Sequence, residues 1–520
     1  MSRTKRVVAA AAVAFLAVGV TACGGNKDNS ASGSKGAVIV GTIDSVSSLD
    51  PAGAYDYGSW EVIDSVYQKV MRFPTGGTKP EPDAAKSCAF AADQKTYTCT
   101  LQSGLQFSNG DKLTAASVKF SFDRMLKIAD PNGPSSLFGT LESTEAKGAD
   151  QVIFHLKSPD STFPSVLATD AGAIVNEKTF PADKLLAGTK VIGSGPYTLD
   201  KYTAKQQASF KVNAKYSGPV KAQNSQFVLQ YFAEASALKA AVKDGTVNAA
   251  FRTLSPTDTA DLKKTQGVKV VEGTGTEKRY FVFHAKVKPS DQKAVRQAVA
   301  QIIDREGIAK DAYNGTVAPL YSMVGNGIDG HTDAFKDKYG APDKAKAAAI
   351  LQAAGITAPV ALSYTWTPSH YGAAAADEAT AIKRQLDASG LFNVKLSSTE
   401  WQQYQKDEKA GSYASYMIGW FPDLPDADND VSPFLSKSPF LGTGYDNPAI
   451  QALLVKEQGS NDPKVRNEAF AEIQKIVAED APIIPVWQGK QTAVVRDGVT
   501  GVDKALDPTM FRFYELSTGK

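Results

Sequence analysis

From Gly419 to Asp430 the chain reads Gly-Trp-Phe-Pro-Asp-Leu-Pro-Asp-Ala-Asp-Asn-Asp, with carboxylates beside aromatic rings. Asp426, Asp428 and Asp430 match the first three ligand positions of a calcium loop. However, Val431 stands where the tight-turn glycine belongs and Lys437 where the bidentate glutamate belongs. Rings with a few placed charges suit a small-molecule cleft; a solvated acidic turn is the plain alternative. Other chemistry is thin. The four histidines, His155, His284, His331 and His370, are far apart in sequence. No HExxH, GxSxG or Walker-type loop is present. Gly273–Lys278 imitates a phosphate loop weakly and reads as a surface turn. A hydrolase would need a nucleophile beside a base, and the chain offers only distant singletons. The expectation is a binding protein, not an enzyme, with no cofactor and no metal.

The cysteines point to export. Cys23 closes Val20-Thr21-Ala22-Cys23, a lipobox-like run after a basic start at Arg3, Lys5 and Arg6 and the apolar stretch Val7–Val20. That stretch is shorter than the roughly 20 residues a membrane-spanning helix needs, so residues 1–22 read as a signal peptide. Cys23 is then the lipidated residue and 23–36, rich in Gly and Ser, a tether. Cys88 and Cys99 are equidistant from the Asp93-Gln94 turn, and Thr96–Leu101 alternates with period two. A hairpin would face the cysteines toward each other, and an oxidising compartment would close the disulfide. A zinc pair is the weaker reading, since no second ligand pair stands at metal spacing.

Removing residues 1–22 takes away Arg3, Lys5 and Arg6 and no acids, so the formal charge falls from +2 to −1. Without a Lys/Arg block there is no electrostatic reason to expect nucleic acid as a partner. Residues 37–520 exceed what one core usually serves, so two or three lobes are expected. Strand-like and helix-like stretches interleave: Val38–Thr42, a helix capped by Thr114, a glycine-proline turn at Val191–Tyr197, a buried strand at Tyr280–Phe283, a helix over Asp291–Ile308, another over Pro342–Ala354, and an apolar crossing at Ala481–Trp487. The chain is α/β.

Several segments in order carry a resemblance. They are Lys95–Thr98 through Phe107-Ser108-Asn109-Gly110-Asp111 with Val118–Phe122; Gly193-Ser194-Gly195-Pro196-Tyr197; Val295–Ala298 with Ile303-Asp304-Arg305; and Gly419-Trp420 with Asp423. With these, the chain resembles the oligopeptide/dipeptide/nickel class of extracellular solute-binding proteins, receptors of ABC importers. The resemblance implies a two-lobed periplasmic-binding-protein type II-like fold with an accessory domain. Lobe I would comprise 37–62, 190–282 and 485–520, the accessory domain 63–189, and lobe II 283–484. The hinges would fall at Tyr280–Phe283 and Pro482–Pro485.

It further implies an extracytoplasmic, membrane-anchored monomer that captures short peptides and delivers them to permease subunits. By the same resemblance, Asp423 pairs with the ligand's α-ammonium, as an ion leaving water requires. Trp420 packs beside the ligand, the Gly419 backbone pairs with it as a strand would, and Trp401 lines the pocket unless it is core. The two prolines around Asp423 depart from the peptide pattern. Arg279, Arg296 and Lys395 are available for a ligand carboxylate but read as surface charges. A nickel chelate, oligosaccharide, siderophore or opine-like solute, or a peptide-sensing role, stays open.

Overall fold

The computed structural model describes residues 37–519 except 253, 369, 372, 373, 438 and 440. Cys23, the signal segment and the tether lie outside the described residues. Two long strands, Val268–Phe283 and Ile483–Arg496, run antiparallel through the middle of an eleven-stranded sheet. On one side follow Ser415–Trp420, Val360–Trp366 and Phe392–Ser398. On the other follow Ala249–Phe251, Val38–Thr42, Gln226–Tyr231, Gln207–Val212 and Tyr197–Thr203. The short strand Val317–Pro319 also pairs with Ile483–Arg496.

The long pair is not continuous. Val268–Thr274 pairs with Lys490–Arg496, the ladder breaks, and pairing resumes from Lys278 opposite Gln488. A second shift falls between Arg279 and Tyr280, where Pro485, with no N–H to give, stands opposite Tyr280. Each side of the first break has its own core. Tyr280–Phe283, all fully buried, join Ile483, Ile484, Val486 and Trp487 against the helices Lys293–Ile302, Ala374–Ala388 and Pro463–Asp480. On the other side Val38, Val40, Phe227, Leu229, Val495 and Phe511 share a core with Val62–Tyr67. A third core, drawn mainly from Val70 to Ile174 and including Ala52 and Leu424, packs the helix Ala115–Ile128 on a four-stranded antiparallel sheet. In that sheet Cys88 faces Cys99 and the two are joined by a disulfide. The turn between them is held by Asp93, whose carboxylate accepts the amides of Lys95 and Thr96.

Tyr280–Phe283 lie in one core with Ile483, Ile484, Val486 and Trp487, as a four-residue apolar run needs cover on both sheet faces, and the pairing of the long strands breaks at Thr274–Lys278 and Gln488–Lys490. Two sequence expectations shift. Gly273–Lys278 is no surface turn; it lies in the middle of a long strand, with Gly273, Thr274 and Lys278 paired to a partner distant in sequence and Gly275–Glu277 unpaired between them. The helix expected over Asp291–Ile308 is two helices, Lys293–Ile302 and Arg305–Asp311. Ile303 is extended between them, and the Asp304 carboxylate caps the second by accepting the Gly307 amide.

Candidate functional site

The break in the crossing strands opens a cavity of about 720 Å³, within the usual range for small-molecule sites. Gly275, Thr276 and Glu277 line it from one strand, and Gly489–Thr492 from the other. Tyr55, Tyr57, Phe251 and Arg252 line it together with Arg279, Tyr371, Phe421, Asp423 and Trp487. The wall is largely aromatic, with acids and cations set among the rings.

Asp423 reaches this wall on the loop that follows Ser415–Trp420. Its amide donates to Asn429 Oδ1 at 2.7 Å, and its Oδ1 accepts the Tyr55 hydroxyl at 2.5 Å. The loop is held by Trp420, whose indole N–H donates to the Asn429 carbonyl at 2.9 Å while the ring packs edge-on against Phe434. Burial pushes the Asp423 carboxyl above the ordinary range, with the hydrogen bonds from Tyr55 and Asn429 pulling the other way. A carboxylate so placed gains from meeting a cation, because the cation restores what desolvation removed.

The neighbouring aspartates are committed elsewhere. Asp426 pairs with Arg466 at 2.7 Å and caps the helix Ala427–Leu435. Asp430 binds Lys278 at 2.7 Å in a fully buried pair and accepts the Gly325 amide. Asp428 turns to Ser432 and Gln458. The three do not converge, so the calcium spacing in the sequence has no counterpart in space.

The other sequence candidates take different places. Gly419 stands opposite Arg279 in the sheet. A Cβ there would lie 2.5 Å from Arg279 Nη1 and 2.7 Å from the Tyr371 ring, so glycine lets both side chains lie against the strand. With the Tyr371 ring packed against Gly419 in this way, a ligand backbone pairing at this edge would have to displace Tyr371. Trp401 stacks on His370, its ring 3.7 Å away, and packs edge-on behind Tyr371, one layer back from the cavity.

Arg279 is no surface charge; its side chain is 1 % exposed. It lies between the rings of Tyr371 and Trp487, 3.9 and 4.8 Å from their centroids. Glu277 accepts from its Nη2 at 3.2 Å, and Glu378 lies 3.7 Å from its Nε. Burial opposes the charge, but Tyr313, Glu277 and Glu378 outweigh it and keep Arg279 charged. Arg296 is spent on the carbonyls of Asp480, Ser290 and Asp291. Lys395 is exposed on the strand Phe392–Ser398.

Sequence reasoning missed Tyr55, Tyr57, Arg252, Glu277 and Trp487. The cluster Tyr55-Asp56-Tyr57 beside Trp60 was a legible aromatic signal; Arg252 has no motif around it.

Three known proteins illustrate what the chain is similar to. The dipeptide-binding protein of Escherichia coli is 26 % identical over 466 residues, covering 84 % of this chain and 86 % of that protein. The periplasmic binding protein DppA of Helicobacter pylori, solved with the peptide STSA, is 23 % identical at a TM-score of 0.74, with 93 % of this chain and 98 % of that one covered. NikA of Brucella suis, solved with Fe(III)-EDTA, is 20 % identical at a TM-score of 0.81, covering 93 % and 100 %. The fold is thus the two-lobed type II periplasmic-binding architecture with an accessory domain. Residues 79–441 match the model for the middle region of bacterial extracellular solute-binding proteins, family 5, and the chain belongs to that family.

Proposed function

We propose that this protein is the extracytoplasmic receptor of an ABC importer, capturing short peptides by their free amino terminus and delivering them to permease subunits. It acts as a monomer tied to the membrane through lipid on Cys23. One observation carries the ligand class. Asp423 lines an aromatic cavity of about 720 Å³, its carboxyl raised by burial and its Oδ1 accepting the Tyr55 hydroxyl. Such a group discriminates strongly for a ligand ammonium, because leaving it unpaired keeps a desolvated charge. The peptide bound to H. pylori DppA and the dipeptides for which the E. coli relative is named support the same class.

Calorimetric titration with alanyl-phenylalanine and its N-acetyl form tests this. The free-amine peptide should bind, acetylation should abolish most of the affinity, and Asp423→Asn should cost about 1.5–3 kcal/mol, as loss of a charged hydrogen bond does. Because the Asp423 carboxyl is raised, wild-type affinity should begin to fall at a higher pH than an ordinary carboxylate would give. The sign follows from protonation, which neutralises Asp423 while the ammonium stays charged. Equal binding of the free and acetylated peptides would remove Asp423 from this role.

A further inference from the structure

Lys278 closes the stretch that imitates a phosphate loop, and Asp430 stands third in the calcium-like spacing. Neither imitation holds in space, yet the two residues meet. Their side chains are each 1 % exposed, and Lys278 Nζ lies 2.7 Å from Asp430 Oδ1. Taking both charges out of water costs about what their attraction returns, so a buried pair of this kind adds little to stability by itself. Burial pushes the Asp430 carboxyl up even with Lys278 beside it. The contacts around the pair say what it holds in place.

Lys278 is where pairing of the long strands resumes after the break, opposite Gln488, and it also stands opposite Trp420 in the neighbouring strand. The Trp420 indole donates to the carbonyl of Asn429. The next residue is Asp430, which returns to Lys278. Both ends of the loop that carries Asp423 are thus closed onto one residue. Inside that closure the Asn429 side chain accepts the Asp423 amide. The second carboxylate oxygen of Asp430 accepts the Gly325 amide at 2.9 Å. A Cβ at Gly325 would lie 2.6 Å from Lys278 Cε, so the lack of a side chain lets that amide reach the pair. Toward the cavity, Lys278 Nζ donates to the Thr276 carbonyl at 3.3 Å, and Gln488 Nε2 donates to that of Gly275 at 2.7 Å. Gly275 and Thr276 are the unpaired residues that line the floor. One lysine therefore sets the open floor and the Asp423 loop against each other.

We propose that Lys278 and Asp430 are positioning residues: their pair presets Asp423 for the ligand's ammonium, and so sets how strongly a free amino terminus is preferred. The inference rests on the peptide reading above and adds what holds its anchor. A preset group has less freedom to lose on binding, and the difference appears as affinity. The charges supply direction, since an apolar pair fills the same space without orienting Asp430 or the Asn429 beside it.

Lys278→Met combined with Asp430→Leu removes both charges and nearly keeps the volume, a swap that buried ion pairs tolerate. The urea midpoint of this double variant should stay near that of the wild type. Calorimetric titration with alanyl-phenylalanine and its N-acetyl form should show the preference for the free amine reduced by about tenfold or more, as a misplaced group gives. Added to Asp423→Asn, the same swap should change affinity for alanyl-phenylalanine by less than about twofold, because the group it presets is already gone. A purely structural role gives the opposite pattern, with both peptides weakened alike and losses that multiply with Asp423→Asn. Either of those results would overturn the proposal. Hydrogen exchange on the ligand-free wild type decides the matter even if the double variant does not fold. The Asp423 and Gly325 amides should exchange slowly before any peptide is added, and exchange at the rate of an open loop would overturn the proposal. A wild type with no preference for the free amine would overturn the peptide reading and the positioning role with it. A wild-type preference that survives the swap would overturn the positioning role alone.

Discussion

Beneath the loop that carries Asp423, Glu457 lies against Asp428 with Arg466 close by. Arg466 binds Glu457 at 3.1 Å but is shared with Asp426, which takes both of its Nη groups at 2.7 and 2.9 Å. Burial first, and then the charge of Asp428, push the Glu457 carboxyl up to about 10. At neutral pH Glu457 therefore holds its proton and shares it with Asp428. In the unfolded chain it titrates near the ordinary value of about 4.3. Between those two values the folded form binds the extra proton, so stability should fall as pH rises through that window and should be level below it. Glu457→Gln retains a donor toward Asp428 and has no proton to lose. Urea midpoints at pH 6 and pH 9 should therefore show a larger loss in the wild type than in the variant. The difference should exceed about 1.4 kcal/mol, the equivalent of one unit of titration. Parallel losses would mean that Glu457 is ionised in the folded protein.

At the scale of elements, the crossing strands do two things at once: they join the cores on either side of the break, and their break makes the cavity floor. Gly275 sits in that break. A Cβ there would lie 2.7 Å from the Gly489 carbonyl oxygen and 3.0 Å from the Gln491 amide nitrogen, both backbone atoms of the partner strand. At Gly489 an added Cβ meets nothing nearer than 3.4 Å. Gly275→Ala should thus cost about 1–3 kcal/mol, as overpacking does, and should weaken ligand binding, while Gly489→Ala should change stability by much less. Chemical denaturation of the pair decides it, and equal stabilities would show that the strands part freely at Gly275.

The same break shows why the sequence was only partly readable. The apolar runs Tyr280–Phe283 and Ile483–Trp487 announce buried strand by composition alone. Gly273–Lys278 looks like a turn because the pairing that holds its ends, at Gly273, Thr274 and Lys278, is to Gln488–Gln491, more than two hundred residues away. Asp423 stands out in the sequence through an ordered set of motifs, whereas the placement of Arg252 depends on a left-handed backbone and on a ring far upstream. No local pattern encodes either. Arg279 was misjudged for a related reason, since its burial is supplied by Tyr371 and Trp487 from two other segments.

For the whole molecule, the lipid anchor proposed on Cys23 has consequences for where the protein is found. Among the described residues no helix is long and apolar enough to cross a bilayer. The formal charge of +2 becomes −1 once Arg3, Lys5 and Arg6 are removed with residues 1–22, so attraction to anionic headgroups offers little. If the protein is membrane-bound, the acyl chains proposed on Cys23 must supply nearly all of the affinity, at about 0.8 kcal/mol per buried methylene. A single chain binds only marginally, whereas two or more anchor stably. Cys23→Ser should therefore move the protein from the membrane fraction to the soluble or secreted fraction. A high-salt wash should leave the wild type in place, because salt screens charges and not acyl chains. Ligand affinity of the released variant should match that of the wild type, since residue 23 precedes every residue that lines the cavity. A Cys23→Ser variant that stays with membranes would refute lipid anchoring at this residue. Salt-induced release of the wild type would point to an electrostatic hold that the net charge gives no reason to expect.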